Sequence, residues 1–303
     1  MTPLIRIEQG DVRAVAAAWM RERPGGFRLL YCDPPFFTGR DRVADAGAYP
    51  DSGRTLEEYL AWMAQVLAAQ APLLAPDGFF CLHADYHSGH YLKVLGDRIF
   101  GYRNFRNEII WHYTGRRMAG RRRVNQKHDA LYIWARSPAA RMRPLFEPAW
   151  TRHEYVRMKR QAVHRDADRR EWIWGHAGRG RSKAYRIYLD EAVARGRAVD
   201  SVWDLPILNT SARERTGYPT QKPEALLERL VDLLSDPGDL VGDLMAGSGT
   251  LAAAAARRGR SAWVSDLNPA AVAVMRARLR PLAAAGGLGW EDRTRPQAEP
   301  SGS

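Results

Sequence analysis

"DLVGDLMAGSGTLAAAAARRG", residues 239–259, reads as three elements in a row: a short apolar strand, a turn built on Gly247 and Gly249, and an alanine-rich helix. Glycines at that spacing let the backbone turn tightly and bring N–H groups to a ligand at the start of a helix, with Ala252 in the third position of the pattern. No lysine follows the last glycine, so a P-loop is excluded. A dinucleotide site survives on spacing. The next strand, opening "SAWVSDLNPAAVAVMRARLRPL" (261–282), carries Asp266 at its tip, where a carboxylate suits the ribose hydroxyls of any adenosine-bearing cofactor.

The same strand–helix alternation runs through the rest of the chain. "LIRIEQGD" (4–11) is a strand ending in Gly10 and Asp11, followed by a helical pattern over Val12–Arg21. "GFRLLYCDPPFF" (26–37) is a second strand. In "TLEEYLAWMAQVLAAQAPLLAPDG" (55–78), Thr55 as N-cap with Glu58 three residues on predicts an amphipathic helix, closed by the turn at Pro76, Asp77 and Gly78 before the strand "FFCLHAD" (79–85). "NEIIWHYT" (107–114) and "HDALYIWAR" (128–136) predict two more strands, paired antiparallel. Pro223 fits the first turn of a helix running to Leu234, which Pro237 and Gly238 end. Strands alternating with helices predict an α/β fold with a mainly parallel sheet.

A chain of 303 residues can bury a full core, and no stretch reaches the roughly 18 consecutive apolar residues of a membrane span. The opening "MTPLIRIEQGD" lacks the basic-then-apolar pattern of a secretory signal, so a cytoplasmic protein is expected. Cys32 and Cys81 are the only cysteines, each inside an apolar run, and no His or Cys spacing suggests a metal site. Net charge is +12, unevenly placed: residues 103–186 hold 22 Lys plus Arg against 7 Asp plus Glu, and the remainder holds 24 against 27. That segregated excess, with Trp and Tyr interleaved in "REWIWGHAGRGRSKAYRIY" (170–188), points to a polyanion such as nucleic acid.

"LLYCDPPFF" (29–37) delivers Asp33 to a strand tip and stops the strand with Pro34 and Pro35. Two prolines fix two φ angles and remove two backbone donors, leaving carbonyls as acceptors beside the rings of Phe36 and Phe37. A dehydrogenase accounts for neither this tip nor the basic segment. Together, "DPPF", "YPTQKPEALLERL" (218–230) and "GDLMAGSGT" (242–250) resemble the S-adenosylmethionine-dependent amino-methyltransferases of DNA, which act on N6 of adenine or N4 of cytosine. The catalytic motif precedes the cofactor glycines, the order of the β group. The likeness covers roughly residues 5–280, and the middle matches mainly by position and charge. The family's usual Phe before its glycine turn is Met245 here, and Leu244 replaces a common proline; a methionine can still pack against a cofactor.

The resemblance implies a Rossmann-like methyltransferase fold: a mainly parallel seven-stranded sheet, circularly permuted motif order and an inserted basic target-recognition region. The expected parts are a catalytic half (1–102), the basic region with the remaining strands (103–200), a cofactor-binding half (201–282) and a disordered tail (283–303). It implies Asp33, Pro34, Pro35 and Phe36 as the catalytic motif. Met245, Gly247, Ser248, Gly249 and Thr250, with Asp243, would surround the cofactor's methionine portion, and Asp266 its ribose. It places Asp11 near the cofactor's adenine amino group and Lys222 near its carboxylate. Arg116, Arg117, Arg121, Arg122, Arg123 and Lys127 would reach phosphates or guanine edges.

The chemistry suits these residues. An exocyclic amine is a poor nucleophile because its lone pair is delocalised into the ring. The Asp33 carboxylate and Pro34 carbonyl, both accepting from its hydrogens, would free that pair for in-line attack. The base must first leave the duplex, and stacking on Phe36 would offset part of that cost. Neither cysteine has the Pro-Cys context of cytosine-C5 enzymes. D-P-P-F is most typical of adenine enzymes, so site-specific adenine-N6 methylation of duplex DNA is expected. N4-cytosine methylation is the alternative, ahead of RNA methylation or a catalytically silent DNA-binding protein. Dimers occur in the group, so a homodimer and a separately encoded restriction endonuclease, as in restriction-modification, are partners the resemblance suggests.

Overall fold

The computed structural model describes residues 2–39, 42–44, 47–49, 53–114, 124–176, 184–209 and 211–294. Two compact units emerge, one of residues 1–143 with 201–303 and one of 144–200. The first begins with β1 (Leu4–Gln9), α1 (Val12–Glu22), β2 (Phe27–Cys32), the short hairpin β3 (Arg42–Ala44) and β4 (Gly47–Tyr49), and α2 (Leu56–Gln70). It continues with β5 (Leu74–Ala84), α3 (Gly89–Gly96), β6 (Phe105–His112) and β7 (His128–Ala135).

The second unit holds β8 (Phe146–Glu147), α4 (Arg152–Lys159), β9 (His164–Arg165), β10 (Glu171–His176), β11 (Ala184–Tyr188), α5 (Leu189–Arg195) and β12 (Arg197–Ala198). A three-stranded antiparallel sheet β11-β10-β9 packs there on α4 and α5 around Tyr155, Ile173, Leu189 and Ala192. The chain returns to the first unit with β13 (Val202–Asp204), α6 (Glu224–Leu234), β14 (Leu240–Asp243), α7 (Thr250–Arg257), β15 (Ser261–Asp266), α8 (Pro269–Gly286) and β16 (Gly289–Asp292).

The central sheet has the order β13-β6-β7-β5-β2-β14-β15-β1-β16. Every neighbouring pair is parallel except β5–β7 and β6–β7, so β7 alone runs against the rest. Nine strands stand where seven are expected, because β13 and β16 each add a short edge strand. β16 also corrects the expectation of a disordered tail from residue 283. α8 continues to Gly286, Gly287 turns the chain at φ +61°, and Gly289–Asp292 pair with Leu4–Ile7. Arg276 binds Asp292 at 2.6 Å and holds the end in place. Residues 295–303 lie outside the described part.

Local signals account for most boundaries. Thr55 and Glu58 form a capping box at α2. Pro223 is the N-cap of α6 rather than part of its first turn, and φ −61° with ψ 137° shows why: proline's fixed φ fits, but its ψ is still extended. Pro76, Asp77 and Gly78 do not close the helix; they lie inside β5, at a register shift opposite Phe27 and Leu29. A Cβ on Gly78 would stand 2.7 Å from the Phe27 carbonyl, so the irregularity needs glycine.

β2 is buried along its whole length, as a parallel strand covered on both faces must be. On one face Trp19 stacks on Phe27 at 5.2 Å and meets Trp263 edge-on at 5.6 Å, with Tyr59, Met63 and Leu67 of α2 in the same cluster. α6, α7 and α8 supply Leu226, Leu230, Ala254, Met275 and Leu279 to the rest of the core. No helix among the described residues is long and apolar enough to cross a membrane.

Candidate active site

β2, β14, β15 and β1 are consecutive parallel neighbours, so their C-terminal ends open on one edge of the sheet. Strand order switches between β2 and β14: β2 leads on to β5 on one side and β14 leads through its helix to β15 on the other. Ligands of open α/β sheets bind at such a switch point. The four tips bring Asp33, Asp243, Asp266 and Asp11 together, residues up to 255 positions apart in the chain. A cavity of about 630 Å³ opens there, lined by all four and by Gly247, Tyr218 and Trp62. A second, of about 370 Å³, is lined by Pro34, Phe36, Trp111, Tyr113, Asp129 and Arg215. Asp33, Tyr218, Thr220 and Lys222 belong to both.

The glycine turn is held by Asp266. One carboxylate oxygen accepts from the Gly247 N–H and the other from the Asn268 N–H, each at 2.8 Å. Burial raises the Asp266 pKa, with these backbone donors opposing the rise. Gly247 at φ +52° and Gly249 at φ +73° occupy the left-handed region, the latter as N-cap of α7. Ser248 and Thr250, by contrast, are buried, and their hydroxyls face the Arg278 guanidinium at 3.3 and 3.0 Å. Arg278 in turn pairs with Glu224 at 2.7 Å, tying the turn to α6 and α8. No pattern around Arg278 announces this role; it arises because α8 crosses the turn.

Asp243 is buried and accepts from the Met245 N–H at 3.0 Å, while the Met245 sulfur lies 3.9 Å from Cys32 Sγ. Desolvation carries the Asp243 pKa well above the ordinary carboxylate range, although the Met245 hydrogen bond and Lys222 favour its charge. A raised folded-state pKa favours folding below the unfolded value and opposes it progressively as pH rises from there. Asp243→Asn is therefore expected to flatten the loss of stability as pH rises above the ordinary carboxylate range. Thermal melts of both proteins across that rise check this; parallel curves would refute it.

Asp11 is the N-cap of α1, accepting from the Arg13 N–H at 2.9 Å and pairing with its guanidinium at 2.9 Å. The Arg13 hydrogen bond lowers its pKa, and its side chain lines the larger cavity.

At the tip of β2, Asp33 Oδ2 holds the Lys222 ammonium, while Oδ1 is buried with no hydrogen-bond partner among the described residues. Lys222, expected beside a cofactor carboxylate, thus sits on Asp33 in the wall shared by the two cavities. Its Nζ is 5.1 Å from the Phe36 ring centroid. Pro34 lines the smaller cavity, and the Pro35 carbonyl accepts from the Tyr59 hydroxyl at 2.6 Å. Phe37 turns away at φ +60° and packs on Tyr59 at 5.1 Å, a strained backbone directly beside the tip.

Behind Asp33 lies a buried polar chain that motif reading missed. Fully buried His83, from "FFCLHAD", places Nδ1 2.6 Å from the Tyr31 hydroxyl and Nε2 3.2 Å from Asp129 Oδ2. The Tyr113 hydroxyl donates to Asp129 Oδ1 at 3.1 Å. Burial opposes the charge of Asp129, but His83, Lys222 and Tyr113 outweigh it and hold its pKa down.

Of the six expected DNA contacts, Arg116, Arg117, Arg121, Arg122 and Arg123 lie outside the described residues. Lys127 is half-buried, and its carbonyl accepts from the Tyr113 N–H at 3.0 Å, extending the β6–β7 pair. β6 and β7, the strands expected within 103–200, belong to the central sheet, and the separate compact unit spans Pro144–Asp200. Among the described residues no cluster of three or more His, Cys, Asp or Glu could hold a metal ion.

Known proteins share this fold. Residues 27–276 match the N6/N4 DNA methylase family model. The DNA adenine methyltransferase YhdJ of Escherichia coli (strain K12) is 22% identical over 79% of this chain and 71% of its own length. The type II methyltransferase M.HpaI of Haemophilus parainfluenzae is 26% identical over 83% of this chain and 67% of its own. Among solved structures, TTHA0409 of Thermus thermophilus complexed with S-adenosyl-L-methionine aligns with a TM-score of 0.57 at 19% identity, covering 97% and 99% of the two chains. The cytosine-N4-specific PvuII DNA methyltransferase aligns with a TM-score of 0.60 at 14% identity over 96% and 97%. With most of its length matched and both characteristic motifs at the open edge of the sheet, the chain belongs to the N6/N4 DNA methylase family.

Proposed function

We propose that the protein transfers a methyl group from S-adenosylmethionine to N6 of an adenine flipped out of duplex DNA. The observation that carries this reading is Asp33 Oδ1, a buried acceptor without a partner in the wall between two cavities. An orphaned acceptor costs stability unless a ligand donor satisfies it, and an exocyclic amino group supplies one. The larger cavity fits the cofactor: the Cβ-free backbone of the Gly247 turn allows close approach of the methionine portion, Asp266 serves the ribose hydroxyls, and Asp11 faces the adenine. Bound there, S-adenosylmethionine supplies an electrophilic methyl group.

In the smaller cavity Phe36 offers a face for the base. Asp33 Oδ1 and the Pro34 carbonyl accept from the amino hydrogens, and Lys222 fixes the carboxylate through Oδ2. Each group is in place before the base arrives, so the charge shift on nitrogen requires little reorganisation. The basic segment over 103–200 provides the salt-dependent hold on duplex DNA. The E. coli relative's name and the intact D-P-P-F favour adenine; the same acceptors also serve N4 of cytosine, the amine named for the PvuII enzyme. A homodimer, a separate endonuclease and a cytoplasmic location accompany this reading.

The test is incubation with labelled S-adenosylmethionine and unmethylated DNA, followed by digestion and mass identification of the nucleoside. N6-methyladenine is expected. N4-methylcytosine would overturn the base assignment, and no transfer to DNA would overturn the activity.

A further inference from the structure

A base that enters the smaller cavity arrives with its sugar and phosphate attached, and these stay at the mouth. We propose that Arg215 holds the backbone phosphate next to the methylated nucleotide; this rests on the methyltransferase reading above and names a DNA contact of that same site. Lys222 and Arg215 are the cations among the described residues lining the cavity. Lys222 is held by Asp33. The other carboxylates of the lining have partners too: Asp85 takes His87 at 2.7 Å, and Asp129 takes the Tyr113 hydroxyl at 3.1 Å and His83 at 3.2 Å. Arg215, by contrast, is exposed and engages no carboxylate among the described residues.

The loop that carries Arg215 is braced on both sides of it. The Gln221 side chain donates to the Glu214 carbonyl at 2.7 Å, and its own oxygen accepts from the Thr216 N–H at 2.7 Å and the Thr216 hydroxyl at 2.8 Å. The Arg215 N–H donates to the Ala212 carbonyl at 3.0 Å, and Glu214 Oε2 accepts from the Glu224 N–H at 2.9 Å, which ties the loop to the start of α6. The backbone is thus fixed before DNA arrives, and the guanidinium keeps its donors for a ligand. Exposure decides between phosphate and base edge. A flipped nucleotide keeps its phosphate at the solvent edge, where an exposed guanidinium meets it at little desolvation cost and its planar fork matches two phosphate oxygens. A phosphate brought near Asp33, Asp85 and Asp129 also needs a cation that those carboxylates have not taken. The contact forms best with the nucleotide rotated outward, so it offsets part of the cost of extrusion.

The test pairs a change in the protein with a change in the DNA. The probe is a duplex holding the site that the wild-type protein methylates, located by sequencing the methylated product, with a single methylphosphonate replacing the phosphate 5′ or 3′ of the target nucleotide. Arg215→Ala is expected to weaken binding of the unmodified duplex by about 10-fold and to lower the salt slope by about one, with the Kd for S-adenosylmethionine kept within about two-fold of wild type. At one of the two positions the methylphosphonate is expected to weaken wild-type binding by a similar factor and to add nothing in Arg215→Ala, because each change removes the same contact. Full additivity at both positions would overturn the contact, as would wild-type DNA affinity in Arg215→Ala. An arginine that only shaped the loop would leave the two losses additive. Either failure leaves the wild-type product unchanged, whereas a wild-type protein that methylates no DNA overturns the methyltransferase reading and this contact together.

Discussion

Asp33→Ala is expected to lose methyl transfer by about 10³-fold or more while still binding S-adenosylmethionine. Its carboxylate is where the two cavities meet, and among the described residues it is the only side chain in both linings with a buried, unpartnered oxygen. On the proposed mechanism, removing it takes away the principal acceptor for the amine, and it also leaves the half-buried Lys222 ammonium without its partner. Asp33→Asn separates these effects, since the amide keeps the shape and one acceptor but not the charge that holds Lys222. Single-turnover kinetics with calorimetric cofactor titration are the measurement. A turnover near wild type in both variants would remove Asp33 from the mechanism. A matched loss of cofactor affinity and rate would instead make it a cofactor contact.

The second large effect is expected at the glycine turn. A Cβ on Gly247 would stand 2.9 Å from Tyr218 Cε1, at φ +52° where an L side chain is strained. Tyr218 is buried and lines both cavities, so it cannot yield without changing their shapes. Gly247→Ala is therefore expected to weaken S-adenosylmethionine binding by about 10- to 100-fold, on the scale of 1–3 kcal/mol for local overpacking and strain. Isothermal titration checks it, with thermal melting to show that the protein remains folded. An unchanged Kd would mean that the turn does not approach the cofactor.

The two variants separate the cavities. Asp33 is expected to act on rate with the cofactor bound, whereas Gly247 is expected to act on whether it binds. A protein behaving as an ordinary folded DNA-binding scaffold would show neither pattern.

Much of the site was legible before any coordinates. A proline pair after an acid at the end of an apolar run, and glycines between a strand and an alanine-rich helix, constrain the backbone within a few residues. Asp33 and Asp266 therefore sit at strand tips, Gly247 and Gly249 lie in the turn that opens α7, and Thr55 with Glu58 caps its helix, all as read. Other features escaped because their partners are remote. Lys222 meets Asp33 across 189 positions, and Arg278 supports Ser248 across 30. The tail past residue 283 was misread because glycine and alanine mask an edge strand whose stability comes from pairing with β1 rather than from its own composition.

By itself, then, the amino-acid sequence determined the alternation of elements, the two turns and the chemistry each turn can hold, because those depend on local dihedral limits and residue type. The tertiary structure alone decided that four strand tips share one edge and that two cavities share the wall made by Asp33 and Lys222. It also decided that His83 and Asp129 stand behind that wall. Those juxtapositions follow from strand order and crossover, which join distant segments through packing that no local periodicity encodes.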